Sequence, residues 1–125
     1  MVREIKTHAV NGLNEVLRIE VLDEPGQGNA CHDYRISVPN GAEVSRGVCV
    51  DISFQNGPIA EAGVNGISNE ALLAIVRDRL NGFQSGPYEC DTNQLALVHV
   101  IQAMEALASR TAERVARGVE GTHTV

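Results

Sequence analysis

Tryptophan is missing from this 125-residue chain, and only two phenylalanines and two tyrosines are present, so each aromatic is worth asking about individually. Cysteine is scarce: Cys31, Cys49 and Cys90 form no CxxC pair and leave an odd one out, which excludes a disulfide framework and reads as reduced, cytosolic thiols. No run approaches the ~20 apolar residues a membrane span requires, and Met1-Val2-Arg3-Glu4-Ile5-Lys6 carries no apolar signal segment. The expectation is a soluble intracellular protein with no membrane partner. Positive charge is also short. The formal net charge is −6 with a pI near 5.1. Before Ser68 five basic residues face nine acidic ones, and from it onward five face seven. That balance argues against a groove for DNA or RNA, which draws on a clustered positive field. Compact anions remain open. Nine of the ten basic residues are Arg and one, Lys6, is Lys, a bias suited to planar, bidentate recognition of phosphate.

Motifs for chemistry are as sparse. There is no Walker loop or dinucleotide fingerprint, since Gly26-Gln27-Gly28 is too short to count. His8, His32, His99, His123 and the cysteines show no ligand spacing beyond the adjacent Cys31-His32, whose side chains point to opposite faces of a strand. No local motif supports a cysteine nucleophile. The reading is therefore no metal, no cofactor and no catalysis.

What is present is regular structure. The run 15–22 alternates Leu17, Ile19 and Val21 against Arg18 and Glu20, and predicts a half-buried strand. Residues 31–38 and 48–54 alternate in the same way, with a turn at 23–30 and another opened by Pro39-Asn40-Gly41. Three short-linked strands imply an antiparallel meander with one apolar face, which sends the loops 23–30 and 55–66 out of the same end of the sheet. Asn69 is the expected N-cap of a helix over about 69–82, with Leu72, Leu73, Val76 and Leu80 as its stripe. After the Pro/Gly-punctuated link 83–90, Asp91 or Thr92 is expected to cap one long helix running from Asp91 toward His123. Leu97, Val100, Ile101, Met104, Leu107, Ala108, Thr111 and Val115 make its stripe, and Leu95, Ala96, Val98, Ala103 and Ala106 widen the apolar surface enough to bury the helix on two sides. The fold expected is α+β: an N-terminal antiparallel sheet of three or four strands packed with a C-terminal antiparallel helical hairpin. Residues 1–125 form one domain, with 1–67 as sheet layer and 68–125 as hairpin.

Arg110, Arg114 and Arg117 stand at i, i+4 and i+7 near the end of the long helix. They either complement the helix dipole, with Gly118 as a left-handed cap, or join the amides, hydroxyl and imidazole of Gly118-Val119-Glu120-Gly121-Thr122-His123 in holding an anion. Phe83 either packs under the hairpin turn or stacks on a base. Asn93 either caps or bonds a base edge.

The motifs Phe83-Gln84-x-Gly86-Pro87-x-x-Cys90, Asn93, and the arginine-glycine run from Arg110-Thr111 to Thr122-His123 resemble the helical hairpin shared by two phage anti-defence sponge families, the anti-CBASS and the Thoeris anti-defence proteins. The sheet, with Phe54-Gln55-Asn56-Gly57-Pro58 and Glu61-Ala62-Gly63-Val64-Asn65-Gly66, is similar to the Thoeris member, and the resemblance covers nearly everything from about residue 15. It implies a protein that catalyses nothing and sequesters cyclic ADP-ribose isomers in the host cytoplasm, some members also holding cyclic di- or trinucleotides. By that resemblance Phe83 and Arg110 sandwich the adenine, Asn93 bonds its edge, and Gln84, Thr111, Arg114 and Asn56 complete the pocket. Arg117, Gly118, Gly121, Thr122 and His123 would form a second, cyclic-nucleotide pocket. The family pattern also has loop arginines near the phosphates, yet the loops 23–30 and 55–67 contain none here, which leaves backbone amides, Arg35 or Arg46 to serve.

If both assignments hold, Asn93 and Arg110 are 17 residues apart on one helix, roughly 25 Å at ~1.5 Å per residue. That is too far to grip one adenine. A homodimer with antiparallel long helices and sites at its interface follows, and three such dimers in a hexamer fit the family. The competing readings are an oligomeric structural protein whose arginines satisfy helix ends and carboxylates, and an enzyme that cleaves the signal.

Overall fold

The computed structural model describes residues 2–10, 12–39 and 47–125. Asn40, Gly41 and Arg46 therefore lie outside the described residues. The chain divides into two compact units, Met1–Gly57 with Val64–Ile67, and Pro58–Gly63 with Ser68–Val125. Residues 58–63 group with the helices and not with the sheet.

The first unit is a four-stranded antiparallel meander of β1 (Arg3–Ile5), β2 (Arg18–Val21), β3 (Asp33–Ser37) and β4 (Cys49–Ser53), in the order β1-β2-β3-β4. Its register explains the alternation. Ile5, Ile19, Ile36 and Val50 pair across the strands, as do Val21, Tyr34 and Ile52, and both rows share one face. Between them Glu4, Glu20, Arg35 and Asp51 form a charged row on the other face. Val21 is fully buried and Cys31 nearly so; burying a valine stabilises by about 1.5–3 kcal/mol. The run 15–22 is not strand throughout. Its first residues complete a helical turn, α1 (Leu13–Val16), closed by Leu17 N–H donating to the Leu13 carbonyl. Pairing with β1 and β3 begins only at Arg18, where ladder partners exist.

Both loops do leave the same end of the sheet. The turn after β2 is held by Asp23, whose carboxylate accepts the backbone N–H of His32 at 2.9 Å and of Asp33 at 3.1 Å. Desolvation pushes that carboxyl up, but the amides of Asp33 and His32 and the charge of His32 more than offset it and hold it below its ordinary value. After β4, Phe54 meets Tyr34 edge to face, with centroids 5.6 Å apart, and bridges to Ile67. Gly66 is required there, because a Cβ would come within 2.4 Å of the Phe54 carbonyl carbon.

The second unit contains a short turn of helix, α2 (Ile59–Ala62), and a hairpin of α3 (Asn69–Gln84) and α4 (Asp91–Ala116). Ser68, not Asn69, caps α3, its hydroxyl accepting the Ala71 N–H at 3.1 Å. Cys90, not Asp91 or Thr92, caps α4, its sulfur accepting the Asn93 N–H at 3.4 Å. The α4 stripe holds through Leu97, Val100, Ile101, Met104, Leu107 and Thr111, but Ala108 is exposed, as are Leu95, Ala96, Val98, Ala103 and Ala106, so within the chain the helix is buried on one side and not two. Val115 is 60 % exposed and Arg114 is buried in its place. In α3, Val76 likewise turns outward at 44 % exposure. Among the described residues no helix is long and apolar enough to cross a membrane.

Helix α4 ends at Ala116, short of the expected His123, because Gly118 takes φ +72°. Gly118 N–H donates to the Val115 carbonyl and Val119 N–H to the Arg114 carbonyl, the pair of bonds that defines a Schellman cap.

Candidate functional site

At the turn end of the hairpin, Gln84 ties the two helices together. Its amide nitrogen donates to the Cys90 carbonyl at 3.1 Å and to Gln94 Oε1 at 3.3 Å, and its amide oxygen accepts the Cys90 N–H at 3.1 Å. Gln84 is thus spent on the turn, and its bonds bring the end of α3 beside the start of α4. Phe83 and Asn93 consequently lie at the same end. The Phe83 ring is 41 % exposed, so it does not pack under the turn, and Asn93 is half-buried with no hydrogen bond to its side-chain amide among the described residues. A feature hidden from the motif search covers one side of the ring: the Arg79 guanidinium stands 5.8 Å from its centroid, within cation–π range. The i, i+4 spacing of Arg79 and Phe83 on α3 was the available signal.

Arg110 lies on α4 with Asn93, so the two are separated by ~17 residues of unbroken helix, roughly 25 Å. Arg110 is exposed and has no ion pair among the described residues. Thr111 follows it, half-buried. Asn56 belongs to the other unit, where Asn65 clamps its backbone: Asn65 Oδ1 accepts the Asn56 N–H at 2.8 Å and Asn65 Nδ2 donates to the Asn56 carbonyl at 2.7 Å. Arg35, a candidate substitute for loop arginines, is engaged by Asp51 across the strands at 2.7 and 3.1 Å. The Asp51 hydrogen bond and charge hold the guanidinium pKa up, and Arg35 in turn holds the Asp51 carboxyl below its ordinary value.

The other two arginines of the signature have different fates. Arg114, 6 % exposed, donates Nε–H to Glu120 Oε2 at 3.1 Å, Nη1 to the Thr124 carbonyl, and Nη2 to the carbonyls of Val119 at 3.0 Å and Thr122 at 3.1 Å. Arg117 pairs with Glu113 and donates to the Val125 main-chain oxygen at 2.9 Å. The tail that follows is compact: Thr122 hydroxyl donates to the Val119 carbonyl, and Gly121, at φ +79°, accepts the Ala60 N–H through its carbonyl. His123 Nε2 lies 3.0 Å from Glu61 Oε2, joining the tail to the 58–63 segment. That contact spans 62 residues, and nothing local in the sequence announces it.

Fold and site together define a class: a β-meander followed by a helical hairpin, with a partly exposed ring at the hairpin's turn end and an arginine-wound tail at the other end of its long helix. Residues 48–112 match the Acb2/Tad1 hairpin domain, and the chain belongs to that family. It is 46 % identical over 77 residues to Thoeris anti-defense 1 of Bacillus phage SBSphiJ7, an alignment covering 62 % of this chain and 54 % of that relative, so the match spans about half of the relative's length. Asn56, Phe83, Gln84, Asn93, Arg110 and Thr111 lie inside the family match; the tail from Arg114 lies beyond it.

Proposed function

We propose that this protein is a phage anti-defence protein that binds a cyclic ADP-ribose isomer and withholds it from a bacterial immune system without cleaving it, acting in the cytoplasm of the infected host. The observation that carries the proposal is a partly exposed aromatic ring, Phe83, and a guanidinium, Arg110, with no ion pair among the described residues, on the same hairpin. A ring and a planar cation are the two faces of a purine clamp. The similarity to a relative named Thoeris anti-defense 1 supports the choice of signal.

The ~25 Å between Asn93 and Arg110 makes the clamp intermolecular in this reading. Two α4 helices run antiparallel in a homodimer, so that Phe83 and Asn93 of one subunit face Arg110 of the other, at two equivalent sites. Leu95 at 58 %, Val98 at 37 % and Val115 at 60 % exposure supply apolar surface for that pairing. Three such dimers would form a hexamer. The tail around Arg117, Gly118, Gly121, Thr122 and His123 serves as the second pocket, for cyclic di- or trinucleotides.

The purely structural alternative accounts for Arg114 and Arg117, which satisfy carbonyls and carboxylates, but not for Arg110, which satisfies neither. One experiment separates the readings: incubate the protein with glycocyclic ADP-ribose, remove free ligand, heat-denature and chromatograph the supernatant. A sponge returns intact ligand, a hydrolase returns fragments, and an assembly protein returns nothing. Either of the last two results refutes the proposal.

A further inference from the structure

The geometry points to Arg114 as a positioning residue of the C-terminal pocket: it never touches the ligand, and instead winds the tail around its own guanidinium so that backbone amides face outward to receive a phosphodiester. This rests on the reading of the tail as the second pocket. Arg114 is the buried charged side chain of the hairpin unit, and four of its five N–H groups already have acceptors within the chain, three of them main-chain carbonyls, of Val119, Thr122 and Thr124. The fourth acceptor, Glu120, answers its charge. A guanidinium so placed has one donor left and little surface to offer.

The consequence lies in the peptide planes. In a trans peptide the carbonyl of one residue and the N–H of the next point in opposite directions. Drawing the Val119 and Thr122 carbonyls in toward Arg114 therefore turns the N–H groups of Glu120 and His123 away from it. Neither amide makes a hydrogen bond among the described residues. Two outward amides beside the His123 imidazole, which is itself paired with Glu61, are donors of the kind that hold anions. Gly118 and Gly121 permit the winding through their positive φ of +72° and +79°. The Schellman bonds and the Thr122 hydroxyl close the first turn of the tail, and among the described residues Arg114 is the side chain that gathers several of its carbonyls, from Val119 to Thr124.

Lysine at position 114 keeps the charge and loses the fork, because an ammonium on a flexible stem cannot reach several carbonyls at fixed angles. The test pairs NMR and calorimetry on the wild type and Arg114→Lys, with cyclic tri-AMP as the tail probe and glycocyclic ADP-ribose as the probe at Phe83. On titrating the wild type with cyclic tri-AMP, the Glu120 and His123 amide resonances should move while the Arg114 Nε–H resonance stays put and slow to exchange. In Arg114→Lys, the amides of residues 119–124 should exchange faster without ligand, and cyclic tri-AMP affinity should fall by about tenfold or more. An unchanged far-UV circular dichroism spectrum and a cooperative urea transition should report an intact fold. Movement of the Arg114 Nε–H signal on binding, or a lysine variant with unchanged exchange and affinity, overturns the proposal while leaving the second pocket standing. If Arg114→Lys fails to fold, the wild-type titration decides alone. A wild type that binds glycocyclic ADP-ribose but no cyclic tri-AMP sinks the second-pocket reading and this proposal with it.

Discussion

A clamp divided between subunits makes a prediction that an intramolecular site cannot mimic. Phe83→Ala removes the stacking ring from one subunit, and Arg110→Ala removes the guanidinium from the other. Base stacking is worth about 1–3 kcal/mol by alanine substitution, and a charge-assisted hydrogen bond about 1.5–3 kcal/mol. Each homodimeric variant should therefore lose roughly 5- to 150-fold in affinity. Mixing the two variants and allowing subunits to exchange changes the outcome. In a mixed dimer one site receives both defects, and the other receives Phe83 and Arg110 intact, because the ~17 residues of α4 between Asn93 and Arg110 hold them roughly 25 Å apart in any one chain.

Random exchange yields mixed dimers as about half of the population, so about a quarter of all sites should recover wild-type affinity, by the symmetry of a two-fold interface. Calorimetry reads this directly as a tight phase of reduced stoichiometry, with mass-labelled subunits reporting that exchange is complete. Full exchange with no tight phase would show that the clamp is not shared, and the intermolecular site would have to be abandoned. A tight phase that appears without mixed dimers would refute it equally.

Three further outcomes are expected. Arg79→Met should weaken capture at Phe83 only about two- to fivefold, since an exposed cation–π contact is worth about 0.5–1 kcal/mol; calorimetry showing a loss as large as that of Phe83→Ala would mean that Arg79, not Arg110, is the principal cation. Gly118→Ala should cost about 1–2 kcal/mol, the penalty of a left-handed alanine with open space around its Cβ. Gly66→Ala, whose Cβ meets backbone at 2.4 Å, should be worse in urea denaturation, because backbone has to move. Acid should loosen the sheet unit: the carboxyls of Asp23 and Asp51 are both held below their ordinary value of 3.8. Their contribution is complete above that value and is lost as pH falls through the depressed folded value, so the protection of the His32 and Asp33 amides, measured against their intrinsic exchange at each pH, should fall on acidification, and that fall should be absent in Asp23→Asn, where they are loose from the start.

Sequence reading reached the elements more easily than the contacts. The period-2 runs marked β2, β3 and β4, and the 3-and-4 spacing marked both helices, because burial on one face imposes that periodicity regardless of the partner. It failed at ends. Asp91, Thr92 and Asn69 are better capping residues by propensity than Cys90, yet Cys90 caps α4 because Gln84 pins its backbone from both sides. Likewise the stripe pattern selected Val115 for the core, and Arg114 is there instead. Hydrophobic patterning cannot foresee a guanidinium buried by carbonyls from residues 119–124, since those carbonyls exist at every position and carry no sequence signal. Of the candidate site, Asn93 and Arg110 have no hydrogen bond or ion pair to their side chains among the described residues and Phe83 is 41 % exposed, while Gln84 and Arg114 are structural struts within the chain.

The divergence of the three arginines follows from where α4 stops. A carbonyl inside a helix is already bonded to the N–H four residues on, whereas the last turn and the loop beyond it have carbonyls to spare. Arg110 sits more than a turn before Ala116, among satisfied carbonyls, and its nearest chain offers it no acceptor. Arg114 in the last turn and Arg117 at the C-cap lie where the tail folds back past them, and they donate to Val119, Thr122, Thr124 and Val125. Availability for a ligand is thus decided by distance from the helix end. Moving the end should move the availability: Gly118→Ala, by frustrating the left-handed cap, should loosen the tail and release Arg114 to solvent while leaving Arg110 as it was. Faster exchange of the Arg114 Nε–H with unchanged glycocyclic ADP-ribose affinity is the expected signature, and a parallel loss of that affinity would mean that the arginines act as one group after all.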